Sequence, residues 1–128
     1  MKLRRFWIAC GLAFVALVIY LSLTPHPIDA GRIEDVKVGH FLAYAWLMWW
    51  FGQIYGYRPI RGLTAIALIG LGVMLEYAQG LTGYRTFAYS DMRDNALGVL
   101  AGWIIVAWLG RSLLRVEAYY FRLKARSA

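Results

Sequence analysis

Four runs of mostly apolar residues, each of about 20 residues, follow one another along this chain of 128 residues. They cover residues 6–23, 38–57, 63–80 and 91–110. A helix of about 20 apolar residues spans the roughly 30 Å hydrocarbon core of a bilayer. The short segments between the runs leave no room for a separate soluble domain. The sequence therefore predicts one all-α domain over residues 1–128, a bundle of four transmembrane helices.

The composition agrees with this prediction, since 61% of the residues are hydrophobic and 16% are charged. Soluble domains have about 45–50% apolar and about 25% charged residues. The net charge is +7, and a surplus of positive charge can indicate binding to nucleic acid. In so apolar a chain it favours contact with anionic lipid instead. We expect membrane lipid as a partner and no nucleic acid.

The basic residues predict how the chain is oriented. With a cytoplasmic N-terminus, the segments on the cytoplasmic side carry Lys2, Arg4, Arg5, Arg58, Arg61, Arg111, Arg115, Arg122, Lys124 and Arg126. The segments on the other side carry only Arg32, Lys37, Arg85 and Arg93. The positive-inside rule then places both termini in the cytoplasm, in a bacterial inner membrane. The first run exceeds the 7–15 apolar residues or so of a signal peptide, so we interpret it as a retained span.

Residues 111–125 are predicted to form a basic amphipathic helix. On a helical wheel the basic side chains share one sector and the apolar side chains another: Arg111, Arg115, Arg122 and Arg126 against Leu113, Val116, Tyr120 and Leu123. This segment is either an interfacial helix or a continuation of the fourth span beyond the membrane. Its basic face is interpreted as an anchor to anionic lipid.

Polar side chains occur near the same end of each predicted span, which is the outer end in this orientation. Ser22 and Thr24 close the first span, and the other spans and their connection contribute Lys37, His40, Glu76, Gln79, Arg85, Asp91, Asp94 and Asn95. An ionisable group at the centre of a span costs about 2.5–3.5 kcal/mol on insertion scales. The concentration of these groups indicates either a ligand site or polar contacts that hold the helices together.

Glycines extend this polar group deeper into two spans. Asp91, Asn95, Gly98 and Gly102 lie on one stripe of a helix, and Gly72 shares a face with Glu76 and Gln79. Small residues let two helices approach closely. We therefore expect the two stripes to face each other, with Gly72, Gly98 and Gly102 at the helix contact. Arg85 is expected to reach back to Glu76 or Asp91.

The same residues resemble the VanZ-like family of small membrane proteins. Glu76-x-x-Gln79, followed by Arg85, Asp91, Asn95, Gly98 and Gly102, is similar to the family pattern E-x-x-Q…R…D-x-x-x-N-x-x-G-x-x-x-G. The family's S-L-x-P element is similar to Ser22-Leu23-Thr24-Pro25. Its K-x-x-H-F-x-x-Y element is similar to the segment that contains Lys37, His40-Phe41 and Tyr44. The resemblance covers about residues 20–103, with Val36 where the family often has an acid. It implies a link to resistance against the glycopeptide teicoplanin, because the family takes its name from a protein associated with that resistance.

Three functions fit this polar group. In the favoured one, a cavity in the outer leaflet binds an amphiphile, such as a lipid-linked cell-envelope precursor or a glycopeptide, because Arg and Lys suit phosphate and carboxylate headgroups. Its ligand-binding residues are Lys37, His40, Tyr44, Glu76, Gln79, Arg85, Asp91 and Asn95, beside the aromatic side chains of Trp46 and Tyr77.

The second function is an intramembrane enzyme that acts on a lipid or polyprenyl-phosphate headgroup. His40, Glu76 and Asp91 would then supply acid–base catalysis, and Arg85 would stabilise phosphate charge. The sequence has no nucleophile elbow, P-loop, HExxH or CxxC motif. The third function is a structural or assembly subunit in which the polar group only joins helices. No cofactor or metal is expected.

Overall fold

The structure is a computed structural model that describes residues 3–25 and 33–127, without the side chains of residues 33–36. These two ranges contain five helices and no strand: α1 (Arg4–Leu23), α2 (Ile33–Ile54), α3 (Arg58–Leu81), α4 (Tyr89–Leu109) and α5 (Ser112–Arg126). Lys2 and Arg32, which contribute to the predicted orientation, lie outside the described residues.

Three of the described helices, α1, α3 and α4, are long and apolar enough to cross a membrane. Their outer faces carry large apolar side chains such as Leu12 on α1, Ile66 and Met74 on α3, and Trp108 on α4. Apolar surface of this extent is unfavourable in water but well suited to lipid. The prediction of an all-helical fold is confirmed for the described residues, and three of these helices could span a membrane.

The second helix lies between the others, because α1, α3 and α4 all pack against α2 and the α2–α4 contact is the most extensive. The buried apolar core consists mainly of α2 side chains, which are Tyr44, Leu47, Met48, Trp50, Phe51 and Ile54. These large side chains exclude both lipid and water from the centre of the molecule. The polar side chains that α2 carries are therefore held inside the protein.

Two glycines of α4 make the close contact with α2. A Cβ atom at Gly98 would collide with the Phe41 carbonyl oxygen, and one at Gly102 with the Ala45 carbonyl oxygen. The expectation that Gly98 and Gly102 face α3 is therefore wrong. Their stripe is used for the α2 contact, since only glycine lets the two backbones approach so closely.

The helix boundaries differ from the predicted spans mainly at two N-termini. α2 begins at Ile33 rather than at 38, and α3 begins at Arg58 rather than at 63. Pro59 lies in the first turn of α3, where its fixed φ fits a helix start and its missing N–H is not needed. At the other end of the molecule, Gly110 has φ 67° and ends α4. α5 is consequently a separate helix and does not continue the fourth span.

Candidate functional site

Polar residues from three helices and one loop come together at one end of the molecule, where α1 and α3 end and α2 and α4 are near their N-termini. We call this group the Glu76 cluster; it comprises His40, Tyr44, Glu76, Gln79, Arg85 and Asn95. Glu76 and Tyr44 are each 1% exposed, and Gln79 and Asn95 are also buried. Residues predicted to share a membrane depth are thus neighbours in space.

Glu76 joins α3 to the start of α4. Its Oε1 accepts a hydrogen bond of 2.6 Å from the backbone N–H of Ala88, the residue that precedes α4. A carboxylate at this position also interacts favourably with the positive end of the helix dipole. His40, Asp91 and Arg85 are close enough to interact electrostatically with Glu76. Its second oxygen, Oε2, is buried and has no hydrogen-bond partner among the described residues.

The hydroxyl of Tyr44, on α2, resembles Oε2 of Glu76 in being a buried polar group without a partner among the described residues. It is buried, it has no hydrogen-bond partner in the described part of the chain, and it lies within electrostatic range of Glu76. Buried polar side-chain atoms are in the large majority of cases hydrogen-bonded. The phenol oxygen of Tyr44 and Oε2 of Glu76 therefore provide a donor and acceptors that the cluster itself does not use.

His40 and Asn95 link α2 to α4. The distance between Nδ1 of His40 and Oδ1 of Asn95 is 3.2 Å, so this nitrogen donates when it carries the ring proton. Asn95 also faces α3, because a Cβ at Gly72 would lie 3.0 Å from its Nδ2. At this position the two predicted stripes do face each other. The amide of Asn95 thereby fixes the imidazole beside the Glu76 carboxylate.

Gln79 and Arg85 hold the end of α1. Nε2 of Gln79 donates to the Ser22 carbonyl at 2.9 Å, and the Arg85 guanidinium donates to the carbonyls of Leu21 and Ser22 at 3.1–3.3 Å. The last carbonyls of a helix have no partner within the helix and attract cations. Arg85 forms no ion pair with Glu76 or Asp91, contrary to the expectation from the sequence, because it caps α1 instead.

The remaining predicted residues lie around the Glu76 cluster. The Lys37 side chain is half-buried and makes no hydrogen bond or ion pair with a described residue. Asp91 accepts a hydrogen bond of 3.3 Å from the Ser90 hydroxyl, and Asp94 pairs with the exposed Arg93 at 3.0 Å. Within 3–25 and 33–127, no three His, Cys, Asp or Glu side chains are grouped as metal ligands would be.

A second set of polar contacts, which sequence reasoning missed, lies at the opposite end of the molecule. Gln53 of α2 is fully buried; its Nε2 donates to the Gly110 carbonyl, and its Oε1 accepts from the Ser112 hydroxyl, each at 3.3 Å. Arg111, predicted to anchor to lipid, donates to the carbonyls of Gln53 and Ile54 at 2.8 Å. The end of α2 is thus capped by the segment that connects α4 to α5.

Glu117 fastens α5 to the start of α1. It is buried, and its carboxylate accepts hydrogen bonds from the backbone N–H of Leu3 at 3.3 Å and from Nε1 of Trp7 at 3.2 Å. The sequence carries a signal for this contact, since Glu117 is the only acid in the basic tail and has Leu113 and Phe121 four residues away on either side. An acid on the apolar face of a helix indicates a partner inside the protein.

Comparisons with known proteins found no match to a protein-family model, a curated protein or a solved structure.

Proposed function

We propose that this protein is a multi-pass protein of a bacterial inner membrane and that its Glu76 cluster binds the headgroup of an amphiphile. In this proposal α1 to α4 form a four-helix bundle and both termini are cytoplasmic. The central position of α2 among three apolar helices supports the bundle. The distribution of basic residues supports the orientation, which puts the Glu76 cluster in the outer leaflet.

The observation that carries the proposal is the pair of unused polar atoms, Oε2 of Glu76 and the hydroxyl of Tyr44. Leaving a buried polar group unpaired costs about 1–3 kcal/mol, and more when it is charged. A headgroup with hydroxyl or amino donors would satisfy the carboxylate, and a phosphate or hydroxyl acceptor would satisfy the phenol. Lys37, whose ammonium group is unpaired in the described structure, would attract the negative charge of such a headgroup.

This chemistry fits a lipid-linked sugar phosphate, a phospholipid with a hydroxylated headgroup, or a glycopeptide. The resemblance to the VanZ-like family adds teicoplanin to the compounds worth testing. A polyprenyl-linked precursor has both the apolar tail and the phosphate and sugar groups that the site would recognise.

The proposal is tested by measuring which lipids stay bound to the protein after purification in a mild detergent. Wild type is compared with Glu76→Gln, and with Asp94→Asn as the matched control, because Asp94 pairs with Arg93 outside the cluster. A hydrogen bond to a charged group contributes about 1.5–3 kcal/mol, so Glu76→Gln should lower ligand retention by about tenfold or more. Mass spectrometry of the bound lipids and of added polyprenyl phosphates measures this loss.

A structural subunit is the second candidate, and the bonds from Gln79 and Arg85 to α1 favour it. If the Glu76 cluster only joins helices, Glu76→Gln should lower the melting temperature and leave lipid retention unchanged. That result would contradict ligand binding. A loss of bound amphiphile at an unchanged melting temperature, with Asp94→Asn behaving as wild type, would support it.

A further inference from the structure

A pocket of about 400 Å³ lies at the end of the molecule opposite the Glu76 cluster, between the start of α3 and the end of α4. α3 has 24 residues, so its two ends are about 36 Å apart at 1.5 Å per residue. Arg58, Arg61 and Arg111 line the polar side of the pocket, and Trp103, Val106 and Ala107 line its apolar side. We call this the arginine pocket.

The positive charge in the arginine pocket is not balanced by an ion pair within the described part of the chain. None of its three arginines forms an ion pair with a described carboxylate. Nε of Arg61 is buried and has no hydrogen-bond partner among the described residues, although Nη2 donates to the Gly56 carbonyl at 3.0 Å. Burial and the nearby charges of Arg61 and Arg4 lower the pKa of Arg111 from its usual value. An anion in the pocket would relieve this repulsion.

The local backbone holds Arg61 and Arg111 in place through hydrogen bonds to carbonyl oxygens. Arg111 packs against Gly56, where a Cβ would lie 2.7 Å from Nη1 of Arg111, and it is fixed by its bonds to the end of α2. Arg58 and Arg61 belong to the first turn of α3, where the helix dipole also favours a negative charge. The fork of N–H donors on each guanidinium matches the oxygens of a phosphate.

We propose that the arginine pocket binds the phosphate of an anionic lipid, with an acyl chain of that lipid along Trp103, Val106 and Ala107. The apolar side favours a lipid over free phosphate, because Ala107 is exposed on the face of α4 that also carries the exposed Ile104 and Trp108. In the proposed orientation this pocket lies in the cytoplasmic leaflet. The site is independent of the Glu76 cluster and of whatever that cluster binds.

The test is native mass spectrometry of the full chain in detergent, with phosphatidylglycerol, phosphatidylcholine or inorganic phosphate added separately. Wild type is compared with the double variant Arg58→Gln/Arg61→Gln. The matched control is Arg115→Gln/Arg122→Gln, which removes the same charge. It also removes a comparable bond, since Arg115 donates to the Leu109 carbonyl at 3.1 Å.

Wild type should retain phosphatidylglycerol about tenfold better than phosphatidylcholine, and Arg58→Gln/Arg61→Gln should remove this preference. The Arg115→Gln/Arg122→Gln protein loses part of the lipid anchor predicted for α5, so it should lose some phosphatidylglycerol but keep the preference for this lipid over phosphatidylcholine. Equal retention of the two lipids by wild type, or equal loss in both double variants, would overturn the proposal. The melting temperature of each variant shows whether it is folded.

A further variant, Ala107→Phe, fills the apolar side of the arginine pocket without changing charge. It should lower retention of phosphatidylglycerol and leave the binding of inorganic phosphate unaffected. If inorganic phosphate binds to wild type through Arg58 and Arg61 while Ala107→Phe still retains the lipid normally, the pocket is a site for soluble phosphate and the lipid assignment is wrong.

Discussion

The two tyrosine hydroxyls of Tyr44 and Tyr84 illustrate how differently the same group is used in this molecule. Tyr84 donates to the Leu23 carbonyl at 2.6 Å and helps to hold α1. The Tyr44 hydroxyl is buried beside Glu76 without a partner in the described structure. One hydroxyl stabilises the fold, and the other is the one that we propose interacts with a ligand.

This difference predicts opposite effects of the same substitution. Tyr44→Phe removes an unpaired buried hydroxyl, so the free energy of unfolding should be unchanged or should rise by up to about 1 kcal/mol, while retention of the amphiphile falls. Tyr84→Phe removes a formed hydrogen bond and should lower stability by about 1 kcal/mol with retention unchanged. Thermal unfolding in detergent and lipid mass spectrometry measure the two effects. A destabilised Tyr44→Phe that binds lipid normally would contradict the role given to this hydroxyl.

At the scale of single residues, the sequence predicted the members of the Glu76 cluster better than their contacts. Glu76 is conspicuous because a carboxylate deep in an apolar run has a high insertion cost. The bonds of Arg85 to the carbonyls of Leu21 and Ser22 could not be predicted, because backbone acceptors at a helix end leave no mark in the sequence. They depend on how α1 lies against the loop after α3.

Among the helices, α5 is the one whose attachment rests on few contacts. Glu117 connects it to Leu3 and Trp7, and Gln53 connects its first turn to α2. Most of its other side chains are exposed. We therefore expect α5 to detach from the rest of the protein before the other helices unfold.

Glu117→Ala should release α5 from α1 while the spans stay folded. Each hydrogen bond that the carboxylate accepts from Leu3 and Trp7 contributes about 1.5–3 kcal/mol, so trypsin should cleave at Arg122 and Lys124 much faster than in wild type. Tyr119→Ala, on the exposed side of the same helix, is the control and should be cleaved as slowly as wild type. Equal cleavage rates in all three proteins would show that Glu117 does not hold α5.

The helices themselves were largely predictable, whereas their partners were not. Long apolar runs predicted α1, α3 and α4, which are long and apolar enough to cross a membrane. The glycine stripe of Gly98 and Gly102 predicted a close contact, but it did not identify α2 as the neighbour. Which helix occupies a glycine face depends on the shapes of all candidate partners, and Phe41 and Ala45 offer backbone there that the sequence pattern does not reveal.

For the whole molecule, the two polar groups lie at opposite ends of the helices and differ in charge. The Glu76 cluster mixes acidic, amide and basic groups, while the arginine pocket is purely basic among its charged residues. In the proposed orientation the Glu76 cluster would bind a headgroup with hydrogen-bond donors in the outer leaflet. The arginine pocket would bind an anionic phosphate in the cytoplasmic leaflet. The basic residues that orient the chain would then also form a binding site.

The orientation is tested by fusing reporters to the full chain. Alkaline phosphatase, active only outside the cytoplasm, should be active when inserted after Thr86 and inactive when fused after Ala128. Green fluorescent protein, fluorescent only inside, should show the reverse pattern. An active phosphatase at the C-terminus would overturn the predicted orientation and exchange the leaflets assigned to the Glu76 cluster and the arginine pocket.

The central position of α2 has a consequence for how the chain is made. Its polar side chains find their partners late: His40 pairs with a residue 55 positions further along, and Gln53 with a carbonyl 57 positions further along. A ribosome adds about 5–20 residues per second, so a newly made α2 waits several seconds before these partners emerge. During that interval its imidazole and amide need water or the polar interior of the insertion machinery. If α2 is a span of the proposed four-helix bundle, we expect its release into lipid to depend on the synthesis of α4.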